Sequence, residues 1–279
     1  MIHDLCFDEN TKIDMKYGIS KRITNIQLYN ETKTGIVLGI IRFPNSHSVI
    51  YNYKGVIVTG NHLVFENNKW IRIKNSQLSK RVFGQYNIFC LITTDNNIYV
   101  NGIKFRDYLE CNDLDIRQII NYGVVKNCNN NIGYIKTDND LQHNYYWGFG
   151  GDTIIKVDNT YMKIKDIVNN RITNDNILGH IKISGEEIRM YNVNGIKVSG
   201  NTLIHYNRCL WERVHQYDKS IEINERKVVY NLITRDNLIV VIGMDKDYIF
   251  RDFKEYNNSN LEEEIEKIIE DRLNIMDNY

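Results

Sequence analysis

The sequence contains one long internal repeat, and this repeat constrains the fold more than any local motif. The segment LITTDN at Leu91–Asn96 returns as LITRDN at Leu232–Asn237, about 141 residues later. VTGNHL at Val58–Leu63 returns as VSGNTL at Val198–Leu203. A period of this length indicates that a whole module occurs twice, and not that short solenoid units are stacked. Further pairs keep the same order: Thr11 with Thr153, Gly39 with Gly179, Gly55 with Gly195, Trp70 with Trp211, and Phe105–Asp107 with Phe250–Asp252.

Each copy has the local pattern of β-strands joined by tight turns. Short segments rich in Ile, Val, Tyr and Phe, such as 36–43 and 88–93, are separated by Asn, Gly and Asp. Asn101-Gly102 is one of these turn signals, because both residue types adopt positive φ readily. The sequence therefore predicts an all-β protein with two tandem modules, at residues 1–112 and 146–257.

Two segments have helical periodicity instead. Residues 113–122 predict a short helix with Asp113 as its cap, inside a connecting segment at 113–145 that includes an Asn-rich loop at 127–131. Residues 258–279 predict a C-terminal helix that begins with a capping box, Ser259 and Glu262. We expect its apolar face to pack on the second module, and the alternative is that it docks on a partner protein. That face is formed by Leu261, Ile265, Ile268, Ile269 and Met276.

Charge and hydropathy exclude several functional classes. Lys and Arg number 35, as do Asp and Glu, so the chain lacks the basic excess that attracts nucleic acid or an anionic membrane. The sequence has no apolar run of membrane-spanning length and no signal-peptide pattern. We therefore expect an intracellular protein with neither nucleic acid nor membrane as partner. A single proline, Pro44, and heavy use of Asn, Ile, Lys and Tyr indicate an A+T-rich genome, such as that of a large DNA virus, which would place the protein in the host cytoplasm or the virion.

The sequence predicts neither a cofactor nor a metal site. Its five cysteines are irregularly spaced and form neither a disulfide framework nor a CxxC motif, so we expect reduced thiols. The glycine-rich segment Gly148–Gly151 is not followed by the Lys and Ser or Thr of a phosphate-binding loop.

Four residues of the first copy carry the candidate chemistry: Cys6, then Thr59 and His62 in a TxxH pattern, then Cys90 in an apolar block. This order resembles the Hint family of hedgehog C-terminal domains and inteins. The resemblance covers residues 6–110 and, more faintly, 148–255. CFDENTKIDMKYGISKRITNI looks like the opening block of that family, VTGNHLVF like its second block, and NIFCLITTDNNIYVNGIKFRDY like its closing blocks.

The resemblance implies an autoprocessing reaction in which the protein's own N-terminal peptide is the substrate. The Cys6 thiol would attack the carbonyl of Leu5 and convert the peptide bond into a thioester, an N-to-S acyl shift. His62 would protonate the departing amide nitrogen. Thr59 would hold the scissile group and help to stabilise the oxyanion. Cys90 would be an auxiliary acid or base, or a second acyl acceptor, and its alternative is a buried strand cysteine.

Two departures from the family pattern limit this reaction. Inteins end in His-Asn followed by Cys, Ser or Thr, whereas VNGI at Val100–Ile103 is followed by Lys104 and Phe105, so full splicing is not expected. Only Met1–Leu5 precede Cys6, so cleavage would release a pentapeptide.

The second copy lacks the chemistry at all four matching positions. Two hypotheses follow. The first is a cysteine-dependent autocatalytic enzyme that cleaves itself through a thioester without splicing. The second is a non-catalytic Hint-fold scaffold, an interaction or virion protein that binds a partner protein or itself. The positions of Cys6, Thr59, His62 and Cys90 are taken in the second copy by Gly148, Ser199, Thr202 and Asn231.

Overall fold

A computed structural model describes residues 5–111, 113–129, 147–206, 210–225, 227–255 and 258–276. The chain divides into two compact units, one comprising Met1–Ile116 with Asn258–Tyr279 and the other Arg117–Asn257. Both are built mainly of antiparallel strands, which confirms the all-β prediction. Among the described residues, no helix is long and apolar enough to cross a membrane.

Unit 1 contains twelve described strands in three sheets. The largest sheet has the strand order β4-β10-β1-β6-β5-β9, a smaller sheet has the order β11-β12-β7-β8, and β2 pairs with β3. The bounds are β1 (Phe7–Asp8), β2 (Lys12–Asp14), β3 (Ser20–Arg22), β4 (Val37–Ser46), β5 (Ile50–Tyr53), β6 (Val56–Thr59), β7 (Leu63–Glu66), β8 (Lys69–Arg72), β9 (Ser79–Val82), β10 (Tyr86–Thr93), β11 (Asn97–Val100) and β12 (Ile103–Arg106).

The sequence pattern explains how these strands lie in unit 1. Buried and partly exposed residues alternate along β4, which is the pattern of a strand with one face on the core. In β10, by contrast, the six residues 88–93 are all buried, as expected of a strand covered on both faces. The turn predicted at Asn101-Gly102 is confirmed, because φ is 52° and 76° at these residues and Val100 pairs with Ile103.

Unit 2 repeats this strand order. Its largest sheet has the order β21-β17-β18-β13-β22-β16, in which each strand is the sequence counterpart of the strand at the same place in the order β9-β5-β6-β1-β10-β4. Its second sheet has the order β15-β14-β23-β24-β19-β20. The bounds are β13 (Phe149–Gly150), β14 (Ile154–Val157), β15 (Thr160–Lys163), β16 (Ile177–Ile183), β17 (Met190–Val193), β18 (Ile196–Ser199), β19 (Leu203–Tyr206), β20 (Leu210–Arg213), β21 (Ser220–Ile223), β22 (Val229–Thr234), β23 (Leu238–Ile242) and β24 (Asp247–Arg251).

The α-helices among the described residues are α1 (Leu114–Cys128), α2 (Ile164–Asn169) and α3 (Ser259–Met276). The predicted cap of α1 is confirmed, because Asp113 Oδ1 accepts the N–H groups of Asp115 and Ile116. The helix is longer than predicted and includes Asn127 of the expected Asn-rich loop. Cys128, the last helical residue, and Asn129 also belong to that loop, whereas the connecting segment from residue 130 to 145 lies outside the described residues.

Helix α3 differs from the prediction at its start, on its buried face and in its packing partner. Its cap is Asn258 and not Ser259, since Asn258 Oδ1 accepts the N–H groups of Asn260 and Leu261. Leu273 is buried, whereas Met276 is 50% exposed. The helix belongs to unit 1 and contacts β8, so the expectation that it packs on the second module was wrong. An amphipathic pattern shows that a helix has a face to bury but does not specify the surface that covers it.

Candidate functional site

Strand β1 places Cys6 inside the largest sheet of unit 1. Phe7 pairs with Val58 of β6 on one side and with Phe89 of β10 on the other. Cys6, directly before Phe7, is completely buried. Because β1 is central, Cys6 lies beside β6, which ends in Thr59, and beside β10, which contains Cys90.

Thr59 contacts Cys6 directly. The backbone N–H of Cys6 donates to Thr59 Oγ1 at 2.9 Å, and the backbone N–H of Thr59 donates to Cys6 O at 2.9 Å. The hydroxyl is therefore bound to the nitrogen of the Leu5–Cys6 peptide bond. Thr59 was expected to hold the scissile group and to help stabilise the oxyanion, and its described hydrogen bond is to the nitrogen of this peptide bond.

His62 is in the turn after β6, with both its backbone and its ring fixed. Its N–H donates to Thr59 O at 3.2 Å, and its ring centroid lies 4.4 Å from that of Phe7. Nε2 lies 2.7 Å from Arg106 O. Because a carbonyl only accepts, Nε2 carries the proton and donates it, which leaves Nδ1 with its lone pair. Nδ1 is buried and has no hydrogen-bond partner among the described residues.

The environment of His62 keeps the imidazole neutral. Complete burial lowers its pKa from 6.5 to about 3, and the positive charge of Arg72 acts in the same direction, whereas the bond to Arg106 O raises the pKa. A neutral ring with a free Nδ1 can accept a proton but has only the Arg106-bound proton to give. The prediction that His62 protonates the departing amide nitrogen therefore requires that the ring first take up a proton at Nδ1.

Cys90 lies in β10 beside Cys6. The side chain of Cys6 forms a hydrogen bond with the Cys90 thiol, which in turn lies 3.6 Å from Leu91 O. Burial raises the pKa of the Cys90 thiol. A buried thiol of this kind is a neutral weak donor at physiological pH, so it fits the description of a buried strand cysteine as well as that of an auxiliary group.

The structure thus brings the four candidate residues into one buried region of unit 1. Cys6 contacts both Thr59 and Cys90, and His62 joins them through its bond to Thr59 and its packing on Phe7. All four are at most 2% exposed. Three distant stretches of sequence meet here because β1 lies between β6 and β10.

The matching positions of unit 2 form a similar region without a thiol or an imidazole. The N–H of Gly148 donates to Ser199 Oγ at 2.9 Å, and Ser199 Oγ lies 2.8 Å from Thr202 Oγ1. Asn231 Nδ2 donates to Trp147 O at 3.1 Å, the carbonyl just before Gly148. A Cβ added at Gly148 would lie 2.7 Å from the backbone oxygen of Tyr230, so a side chain there requires the backbone to move.

A buried ion pair that was not predicted from the sequence lies next to the candidate site. Arg72 donates to both carboxylate oxygens of Glu110 and, at 2.7 Å, to the backbone oxygen of Asn61. Both side chains are buried. The repeat contained the signal, because the matching residues Arg213 and Glu255 form the same buried pair in unit 2.

No protein-family model matches the chain, and no curated protein matches it. Among the solved structures that are similar to part of it are two inteins. A triple-substitution variant of the gp41-1 intein has 20% sequence identity and a TM-score of 0.30, over 37% of this chain and 98% of that chain. A DnaB intein from Synechocystis sp. PCC 6803 has 14% identity and a TM-score of 0.27, over 37% of this chain and 97% of that chain.

Proposed function

We propose that the chain is a Hint-type autoprocessing protein that forms a thioester at Cys6 and cleaves itself without full splicing. The observation that carries the proposal is the bond from the Cys6 N–H to Thr59 Oγ1 beside the Cys6 thiol. A nucleophile and a group bound to the leaving nitrogen thus act on one peptide bond, Leu5–Cys6. The substrate is the protein's own N-terminal segment.

The proton balance of the reaction needs only residues of the site. His62 Nδ1 accepts the proton of the Cys6 thiol, and the thiolate attacks the carbonyl carbon of Leu5. The C–N bond breaks as the imidazolium returns this proton to the Cys6 nitrogen, which leaves as an amine and yields the thioester. The hydrogen bond from Nε2 to Arg106 O stabilises the transient imidazolium. Thr59 keeps the leaving nitrogen in place throughout.

Cys90 is proposed to support this step from the carbonyl side. Its counterpart in unit 2, Asn231, donates to the carbonyl that precedes Gly148. A donor at the same position in unit 1 would face the carbonyl of Leu5, where negative charge develops. The thiol of Cys90 is a weaker donor than an amide, so its contribution should be smaller than that of His62.

We further infer that the two units arose by duplication and that unit 2 is degenerate. The shared strand order and the matching bonds at Thr59 and Ser199 support this inference. Gly148 supplies neither thiol nor space for one, so processing is assigned to unit 1 alone.

A fusion experiment tests the proposal. A folded protein joined ahead of Leu5 should be released when a strong thiol or hydroxylamine is added, because either reagent attacks the thioester. Cys6→Ala should abolish release, and His62→Ala should slow it by roughly 100-fold or more. Intact-mass spectrometry identifies the released fragment. Thr202→Ala in unit 2 is the matched control and should leave the rate unchanged.

The alternative is a non-catalytic scaffold that binds a partner protein or a second copy. The complete burial of Cys6 and His62 favours it, because an external thiol must reach the thioester. A fusion that stays intact for days under the same conditions, with the protein folded, would leave the scaffold as the better explanation.

A further inference from the structure

Helix α3 contacts the strand that supports the candidate site. Asn274 Oδ1 accepts the N–H of Trp70 at 2.7 Å, and Asn274 Nδ2 donates to Trp70 O at 3.1 Å. Both polar groups of one amide are thus used on one residue of β8. Ile269 and Leu273 supply buried apolar surface of the helix. The bonded residues are 204 positions apart in sequence.

The end of β8 and the turn after it hold the backbone that carries His62. The N–H of Ile73 donates to His62 O at 2.9 Å, and the N–H of Lys74 donates to Gly60 O at 2.8 Å. Between these two points, Arg72 donates to Asn61 O at 2.7 Å. Every residue of the segment from Gly60 to His62 is therefore fixed by a residue from 72 to 74.

Glu266 of α3 joins this arrangement at two of its three residues. Its backbone oxygen accepts from Arg72 at 3.3 Å, and its carboxylate accepts from Lys74 Nζ at 3.2 Å. Lys74 Nζ also donates to Asn61 Oδ1 at 2.7 Å. A continuous set of hydrogen bonds thus runs from α3 through Arg72 and Lys74 to the residue next to His62.

Unit 2 has the same arrangement with α1 in place of α3. Asn129, directly after α1, accepts from Trp211 N at 2.7 Å and donates to Trp211 O at 3.1 Å. Val214 and His215 donate to Thr202 O and Gly200 O, both at 3.0 Å. Asn129 and Asn274 lie at the same distance in sequence from the caps Asp113 and Asn258. The same contact, made with the same atoms, is therefore present in both units.

We propose that α3 is a positioning element of the candidate site, in which Asn274 and Glu266 hold the His62 turn in its working geometry. This inference rests on the proposed function only for its effect on rate. The positioning helix of unit 1 is therefore C-terminal in sequence to all the strands of unit 2, since α3 follows β24. Processing would thus depend on a segment far from the reacting bond.

Two matched variants of the full chain, one in each unit, test the positioning role of α3. Asn274→Ala should raise the amide hydrogen-exchange rates of Ile73 and Lys74 by about 10-fold or more. A change of this size corresponds to the local stability that is lost when a hydrogen bond is removed. The matched variant Asn129→Ala should raise those of Val214 and His215 instead. Asn274→Ala should also shift the imidazole nitrogen resonances of His62, and Asn129→Ala should not.

The rate of thiol-induced release from the fusion links this to function. Asn274→Ala should slow release roughly 10- to 100-fold, because small misplacements of a reacting group have effects of this size. Asn129→Ala should leave the rate as in wild type. Should Asn274→Ala fail to fold, Glu266→Ala removes the carboxylate that accepts from Lys74 and should produce the same changes in smaller measure.

The outcomes separate this inference from the proposed function. Unchanged exchange at Ile73 and Lys74 and unchanged His62 resonances in Asn274→Ala would overturn the inference, as would faster exchange with an unaltered release rate. If wild type releases nothing, the proposed function fails, and the exchange and resonance data alone decide whether α3 positions His62.

Discussion

At the scale of single residues, the surroundings of His62 decide what its imidazole can do. The ring is packed against Phe7 and lies 5.7 Å from the ring of Phe105, with its one proton bound to Arg106 O. The TxxH pattern identified the residue but not its charge state. Burial sets the charge state, because an imidazolium inside the unit would lose its hydration without a carboxylate in contact to replace it.

The low pKa of His62 predicts an acid-sensitive unit 1. Below pH 6.5, His62 binds a proton in the unfolded chain. In the folded chain its imidazole stays neutral down to about pH 3, because its pKa is lowered to about that value. Proton binding therefore favours the unfolded state. The free energy of unfolding is unaffected by His62 above pH 6.5 and should fall by up to about 1.4 kcal/mol per pH unit between pH 6.5 and about 3. Urea unfolding at several pH values, followed by NMR signals of unit 1, measures it.

The control for this prediction is His62→Gln, which cannot titrate. Its unfolding free energy should depend less on pH than that of wild type over the same acid window. Equal slopes for the two proteins would mean that His62 is already protonated in the folded state, and the neutral-base mechanism would have to be abandoned.

At the scale of elements, the start of α3 shows that a sequence pattern can predict a helix while assigning its cap to the neighbouring residue. Both Asn258 and Ser259 are suitable caps by residue type, and the presence of Glu262 favoured Ser259. In the structure Asn258 accepts two N–H groups, and the N–H of Glu262 donates to the Asn258 backbone oxygen. The first cap, Asp113, was predicted correctly, although Asn112, another suitable cap by residue type, directly precedes it.

Two alanine variants distinguish the caps of α3. Asn258→Ala should lower the stability of the helix by about 1 kcal/mol, because two N–H groups lose their acceptor. Ser259→Ala should change it by less than about 0.5 kcal/mol, since Ser259 is exposed and lies within the helix. Hydrogen exchange of the α3 amides reports both values. A larger effect from Ser259→Ala than from Asn258→Ala would restore the predicted capping box.

At the scale of the whole molecule, the repeat places the same buried ion pair in each unit. Arg72 binds Glu110 in unit 1, and Arg213 binds Glu255 in unit 2. Desolvation raises the pKa of both carboxyls, and the partner guanidinium opposes this rise. Such a pair adds little net stability, but the loss of one partner leaves a buried charge without compensation.

Glu110→Ala should therefore destabilise unit 1 by roughly 3–5 kcal/mol, and Glu255→Ala should do the same to unit 2. Residue-resolved hydrogen exchange assigns each loss to its unit. The double variant Arg72→Met with Glu110→Ala should recover part of the loss because no unpaired charge remains. If Glu110→Ala were as stable as wild type, the pair would be solvated and not buried.

The repeat, the strand and turn segments, the Asp113 cap and the four candidate site residues follow from the sequence alone. These features depend on local conformational preferences and on spacing, which a linear pattern contains. Only the tertiary structure decided that α3 contacts β8, that Thr59 binds the nitrogen of the Leu5–Cys6 bond, and that His62 is neutral. The hydrophobic effect is not directional, so an apolar helix face does not specify the surface that covers it. A pKa depends on which groups from distant segments exclude water from the titrating group.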